Sequence, residues 1–165
     1  ALKIEGRQIK FPVEEMVDKG LITIIKDETI RPEVVSNWFI EQSEKYNIIN
    51  IAADLHRASY LKQEFDEVGL PLEIVRSGPV THSQLSPLID SIFGEETLIW
   101  GDNPTMNWYT NNTYKQFDSK GNISYHKIEP QTRKTDGFFA LIHALVLDDQ
   151  LQEAVEPVFL DTITF

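Results

Sequence analysis

The sequence predicts an α/β domain built on a largely parallel sheet. Three observations carry that expectation. Short apolar, β-branched runs alternate with longer stretches of helical period through the middle of the chain. Prolines stand at helix starts and glycines at helix stops. One stretch alone, "TYKQFDSKGNISYHKIE" (113–129), has the alternation and central turn of a hairpin.

The elements follow in order. "GLITIIKD" (20–27) is a β-branched run between Gly20 and Asp27, which predicts a strand. "RPEVVSNWFIEQSEKYN" (31–47) opens with Pro32 and gathers Val35, Trp38, Phe39 and Ile40 on one broad face, as an amphipathic helix does. "IINIAA" (48–53) is a short buried strand ending in Asp54. "RASYLKQEFDEVG" (57–69) is helical, with Tyr60, Leu61, Phe65 and Val68 inward and Gly69 as its stop. "PLEIVRS" (71–77) is the next strand, and the Gly78-Pro79 turn leads into the helix "HSQLSPLIDSIFG" (82–94). "TLIWG" (97–101) reads as a strand and "NPTMNWYTNN" (103–112) as a short helix. After the hairpin, with "DSKGN" as its turn, come a helix over 136–150 and a strand-like piece in "EPVFLDTITF" (156–165). There is no internal repeat, linker or low-complexity segment, so residues 1–165 form one domain.

Composition narrows the function. The chain of 165 residues is 41% apolar and 10% aromatic, which is globular rather than disordered. No apolar run approaches the ~18 residues that span a bilayer, so no membrane partner is expected. With no cysteine, there is no disulfide framework, thiolate zinc site or cysteine nucleophile. The net charge of −11 opposes simple DNA binding, because phosphate contacts dominate such affinity. An acidic domain that acts on nucleic acid needs metal ions, a local basic strip or a partner that delivers the substrate.

Two aspartates stand out. Asp54 lies at the carboxyl end of a strand, the edge where open α/β sheets collect ligands. It also stands where an aspartate caps a helix, and the local pattern leaves both readings open. Asp136 follows Thr135, a good N-cap, and so falls in a first turn where the helix dipole favours a carboxylate. At helical spacing it shares a stripe with Ala140, His143 and Leu147. A carboxylate on a stripe that faces the sheet makes sense as a metal ligand if Asp54 lies opposite, and the two are expected to approach each other at one sheet edge. The four histidines show no zinc spacing. His143 reads as a satisfied core histidine, and His56, two residues after Asp54, is the one histidine to test as a site residue. Arg133 and Lys134 are placed to meet phosphates beside Asp136, although cations before a helix are usually just solvated. No phosphate loop, nucleophile elbow or triad can be assembled.

Taken together, "VDKGLITI", the strand ending in Asp54, "LKQEFDEVGLPLEIVRSG", "QLSPLID", "LIWGDNPTMNWYTNN" and "DSKGNISYHKIEPQTRKTDGFFALIHAL" resemble one family. In their order and spacing they resemble the C-terminal nuclease domain of the large terminase subunit of tailed bacteriophages. The likeness runs from about Val17 to Leu147. It implies a ribonuclease H-like mixed sheet flanked by helices, and a metal-dependent DNA endonuclease. Asp54 matches the family's second acid and Asp136 its third, as catalytic residues and metal ligands. "Lys134-Thr135-Asp136-Gly137" is close to the usual Lys-Ile-Asp-Gly, whereas Leu55-His56 replaces the frequent Pro-Trp after the second acid. The family's first acid sits on an early strand, and "ALKIEGRQIKFP" supplies no aspartate on a strand. The chain is therefore expected to be a fragment missing its first strand or strands, and weak or inactive by itself.

The resemblance further implies two divalent ions, Mg²⁺ or Mn²⁺, held by carboxylates because hard ions prefer oxygen. They would lie ~3.5–4 Å apart and hydrolyse the phosphodiesters of concatemeric viral DNA. His56, Arg133 and Lys134 would stand near the metals or touch the DNA. The implied partners are double-stranded DNA, the terminase ATPase domain, the small terminase subunit and the portal protein. The implied location is the cytoplasm of a bacterial host, with a phage or prophage as source. Two other classes compete: a non-catalytic docking fragment for portal or capsid proteins, and an unrelated α/β ligand-binding domain.

Overall fold

The computed structural model describes residues 9–151. Among the described residues, six helices and four strands follow one another in the order α1 (Val13–Asp18), α2 (Pro32–Ser43), β1 (Ile51–Asp54), α3 (Leu55–Glu67), β2 (Leu72–Val75), α4 (Pro79–Gly94), α5 (Pro104–Asn111), β3 (Thr113–Phe117), β4 (Ile123–Lys127) and α6 (Asp136–Leu145). A 3₁₀ turn at Asp148–Gln150 ends the described chain. The domain is therefore mixed α/β, with helices around small sheets. The strand-like piece expected at 156–165 lies outside the described residues.

Among the described residues, the single, largely parallel sheet expected from sequence is instead two separate pairs. β1 and β2 run parallel, in register from Ile51↔Leu72 to Asp54↔Val75. β3 and β4 form the antiparallel hairpin, from Thr113↔Lys127 to Phe117↔Ile123. Two expected strands are missing, for different reasons. The run at 20–27 has β-branched residues but finds no ladder partner among the described residues, and Ile24 is 57% exposed. A strand exists only through pairing, whatever its propensity. In "TLIWG" the first two backbone donors are already spent: the N–H groups of Thr97 and Leu98 both donate to the Ile92 carbonyl and close α4. That closure puts Glu96 in the left-handed region at φ 55° and leaves Ile99 87% exposed.

The helices fall close to expectation, with corrections in which face they bury. In α2 the deepest residue is Ser36, while Trp38 is 53% exposed. Its hydroxyl donates to Glu64 Oε1 at 2.7 Å, so a small hydrogen-bonded residue, not the aromatic, meets α3. On α3 the buried residues are Ala58 and Phe65, and Tyr60 and Val68 are exposed. The expected 136–150 helix ends at Leu145 before the 3₁₀ turn. The short helix α1 was not foreseen.

The central core joins α4, β4 and α6 through Ile89, Tyr125, Phe138 and Ile142. Polar side chains fix the hairpin on α4. The Tyr125 N–H donates to His82 Nδ1 at 3.4 Å, and the Ile123 N–H donates to Ser83 Oγ at 2.8 Å. Since Nδ1 accepts, Nε2 carries the hydrogen and donates to Ser77 Oγ at 3.2 Å. The hairpin turn is as expected: Asp118 accepts from the N–H groups of Lys120 and Asn122, both at 2.8 Å, and Gly121 takes φ 82°.

The ring of His82 must stay neutral to accept from β4. Burial, then the neighbouring His126 and His143, push its pKa below the ordinary 6.5. Below pH ~6.5 the unfolded chain binds a proton that the folded one refuses, so stability is full above that pH and falls as the solution is acidified. The melting temperature is expected to drop between about pH 7.5 and about pH 5.5. His82→Gln should start lower and drop less; parallel curves for parent and variant would contradict this role of His82.

Candidate functional site

Asp54 closes β1 opposite Val75 of β2 and stands directly before α3. It occupies the N-cap position in extended conformation (φ −66°, ψ 140°), yet its side chain makes no capping hydrogen bond. The carboxylate is exposed. The parallel pair thus ends in an acid that the helix behind it does not use. His56, two residues further along, is also exposed.

Asp136 opens α6 and is exposed. The preceding Thr135 is fully buried, but its hydroxyl caps nothing and has no hydrogen-bond partner among the described residues. The sequence-based view of Thr135 as the capping residue is therefore corrected: its backbone is in the N-cap position and its side chain serves as packing. Gly137 explains how close α5 comes. A methyl group there would run into the Tyr109 ring and come within 2.9 Å of Met106 Sδ. Only glycine lets α5 lie against the first turn of α6, which sets Tyr109 beside Asp136. Burial, then the Asp136 charge, push the Tyr109 pKa up, so it stays a neutral phenol near that carboxylate.

The loop leading into Asp136 is held by a residue that sequence reasoning missed. Asn112 is 1% exposed; its amide donates to the Lys134 carbonyl at 3.2 Å and its Oδ1 accepts from Arg133 Nη1 at 3.3 Å. Its own carbonyl accepts from Ile128 N at 2.9 Å, so one asparagine ties the hairpin base to the site loop. Glu129 adds Thr132 Oγ1 at 2.6 Å, Lys10 at 3.1 Å and Arg133 at 3.7 Å. Arg133 is thus engaged in holding the loop. Lys134 is half-buried and its ammonium has no partner among the described residues. Nothing in "TNNTY" distinguishes Asn112 from Asn111 before folding.

α6 packs against β1 as well as α5 and α4. On the expected stripe Asp136 and Ala140 are exposed, His143 is half-buried and Leu147 is buried, so the stripe is open at its N-terminal end and closed at the other. His143 is the residue on it that senses Asp54. Burial lowers the His143 pKa and the Asp54 charge opposes that shift. His143 Nε2 is buried without a hydrogen-bond partner among the described residues, so it is not the satisfied core histidine expected. α6, which packs on β1, thus carries Asp136 at its first turn and, seven residues on, His143, which feels the Asp54 charge. Among the described residues no three His, Asp or Glu side chains gather closely enough to hold a metal ion.

A solved structure with this fold is that of the HK97 bacteriophage large terminase, at a TM-score of 0.71 and 19% sequence identity. The match covers 81% of this chain and 28% of that one, so the chain spans under a third of the length of the terminase it resembles. No family model and no curated protein matches the sequence. None of the helices is long and apolar enough to cross a membrane, among the described residues.

Two expectations follow for stability. Gly→Ala in a helix ordinarily gains up to ~1 kcal/mol. Gly137→Ala should instead lose ~1–3 kcal/mol through overpacking against α5, read from urea unfolding; a gain would show that α5 does not press on this turn. Asp54→Asn should leave the urea midpoint nearly unchanged, because no capping bond is lost. A drop matching the ~1 kcal/mol of a working N-cap would return Asp54 to a structural role.

Proposed function

We propose that this chain is the nuclease part of a DNA-packaging large terminase, and that Asp54 and Asp136 are metal ligands in cutting viral DNA. The observation that carries the proposal is Asp54 itself, an exposed carboxylate at the end of a parallel strand, in the capping position but not capping. A carboxylate free of structural work, beside the helix that carries a second one, suits a site for a ligand not made of protein. The terminase-like fold supports the reading.

The donor chemistry fits Mg²⁺ or Mn²⁺, hard ions that take carboxylate oxygen. The donor count falls short, since two carboxylates do not complete the set that two ions need. When bound, such ions supply an activated water and stabilise the leaving oxygen of an in-line displacement. The chain's own contribution is placement. β1 holds Asp54 at a fixed sheet end, and the first turn of α6 presents Asp136 with the helix dipole favouring its charge. Tyr109, a neutral phenol packed on that turn at Gly137, adds no charge beside Asp136. His56 stands at the Asp54 side and Lys134 at the Asp136 side, where a phosphodiester would lie. Double-stranded DNA is the substrate on this reading, with the ATPase domain, the small subunit and the portal as partners in a bacterial cytoplasm.

Calorimetric titration of the chain with Mn²⁺ tests the site. Binding is expected in the parent, and Asp54→Asn and Asp136→Asn should each weaken it by at least tenfold. A plasmid-nicking assay under the same conditions should show slow cleavage at most, in keeping with the short donor set. Mn²⁺ affinity unchanged in both variants would rule the site out.

A further inference from the structure

The end of α4 carries a charge that its surroundings do not answer. This helix of 16 residues has no basic residue in its last turn, and Glu95 and Glu96 follow it directly. Carbonyls at a helix C-terminus already hold partial negative charge and favour a cation, so two carboxylates there add like charge to like. Lys115 does reach α4, but it pairs with Asp90. Ser91 Oγ donates to Glu95 Oε1 at 3.0 Å, whereas Glu96 makes no salt bridge among the described residues. Glu96 also takes φ 55°, in the left-handed region that ends many helices and usually falls to glycine. A carboxylate without a cation is thus held where the backbone field already calls for one.

Beside this helix end lies a cleft of about 280 Å³. Phe93, Leu98 and Trp100 give it an apolar wall, and Glu96, Asn107 and Asn111 supply polar groups. The rings of Phe93 and Trp100 stand 5.8 Å apart, edge to face at 64°. The Trp100 indole N–H donates to Asn107 Oδ1 at 2.9 Å, which fixes that ring in place. α5 divides its work: Met106 and Tyr109 press on Gly137 of α6, while Asn107 and Asn111 line the cleft. The volume stands at the foot of the ~300–1,000 Å³ range of small-molecule sites and suits one long side chain. No lysine or arginine lines it.

We propose that this cleft is a docking pocket for an arginine side chain of a partner protein. Each part of the lining answers a part of that side chain. Phe93 and Leu98 pack its aliphatic stem, and the Trp100 ring receives the planar guanidinium. The Glu96 carboxylate and the field of the α4 carbonyls neutralise its charge, and the Asn111 amide oxygen accepts from a remaining N–H. The same field repels anions, phosphates among them. Between Leu98 and Trp100, Ile99 is 87% exposed. It gives an apolar neighbour of the arginine a place to rest, so the partner is a peptide chain rather than a free small cation. The net charge of −11 draws a basic segment towards the surface. Neither Asp54 nor Asp136 lines the cleft and no metal enters it, so the inference goes beyond the nuclease reading and does not depend on it.

The test is a titration of the isotope-labelled full chain with the blocked peptide acetyl-Leu-Arg-Leu-amide, followed by nitrogen–proton spectra in EDTA. The indole signal of Trp100 and the amide signals of Glu96 and Asn107 should shift together and saturate. The same peptide with glutamine in place of arginine should bind about fivefold more weakly, the loss of one exposed ion pair and one cation–π contact. Glu96→Gln, a change to an exposed side chain, should weaken the arginine peptide about threefold and narrow the gap between the two peptides. The proposal is overturned if Trp100 shows no saturable shift up to ~10 mM peptide. It is equally overturned if the parent binds both peptides alike, or if Glu96→Gln leaves the affinity for the arginine peptide unchanged. EDTA removes metals, so none of these outcomes bears on Mn²⁺ binding at Asp54 and Asp136.

Discussion

The helix α6 holds the two small sheets in a fixed relation. A two-stranded sheet is marginal in water by itself, and here there are two of them. Phe138 and Ile142 pack with Ile89 of α4 and Tyr125 of β4, and the same helix lies on β1. Full burial of such side chains contributes about 1.5–3 kcal/mol each. The helix that supplies this packing also begins with Asp136, so the position of that carboxylate is set by the core itself. β1, and with it Asp54, lies against the same helix. Stability and site geometry therefore share one element.

The surroundings of α6 add precision at polar cost. Gly137 gives up a side chain so that Tyr109 can sit against the first turn. Asn112 is buried to satisfy the Lys134 carbonyl and the Arg133 guanidinium, which fixes the loop as firmly as apolar packing would. His82 is buried neutral to hold the hairpin. These groups are satisfied by specific partners, whereas the carboxylates of Asp54 and Asp136 remain exposed. The contrast separates residues that build the site from residues that would serve it.

Much of this was legible before folding. Proline starts, glycine stops and periodicity placed α2 to α6, and the alternation around "DSKGN" placed β3 and β4. Asp54 and Asp136 were singled out by strand-end and helix-start position, and the order of segments anticipated the large-terminase fold. What was not legible depended on partners distant in sequence. The run at 20–27 has the composition of a strand but no neighbour to pair with, and "TLIWG" loses its first two donors to the end of α4. Ser36 displaced Trp38 from the α2 interface because Glu64 is there to receive its hydroxyl. Asn112 and Tyr109 gained their roles only when α5 met α6, and Thr135 lost its capping role in the same contact. Local sequence registers propensity; these outcomes were decided by which group found a partner.

The account stands on Asp54 and Asp136 acting at one ligand-binding edge rather than as separate surface acids. Amide spectra of the isotope-labelled chain, with Mn²⁺ added well below one equivalent, test this most directly, because a bound paramagnetic ion erases the signals nearest to it. The prediction is that the signals of Asp54 and Leu55 and those of Asp136 and Gly137 fade together, at the same metal concentration and before the rest. Fading of one group without the other, or first losses on the outer surface of α3 around Asp66 and Glu67, would contradict it.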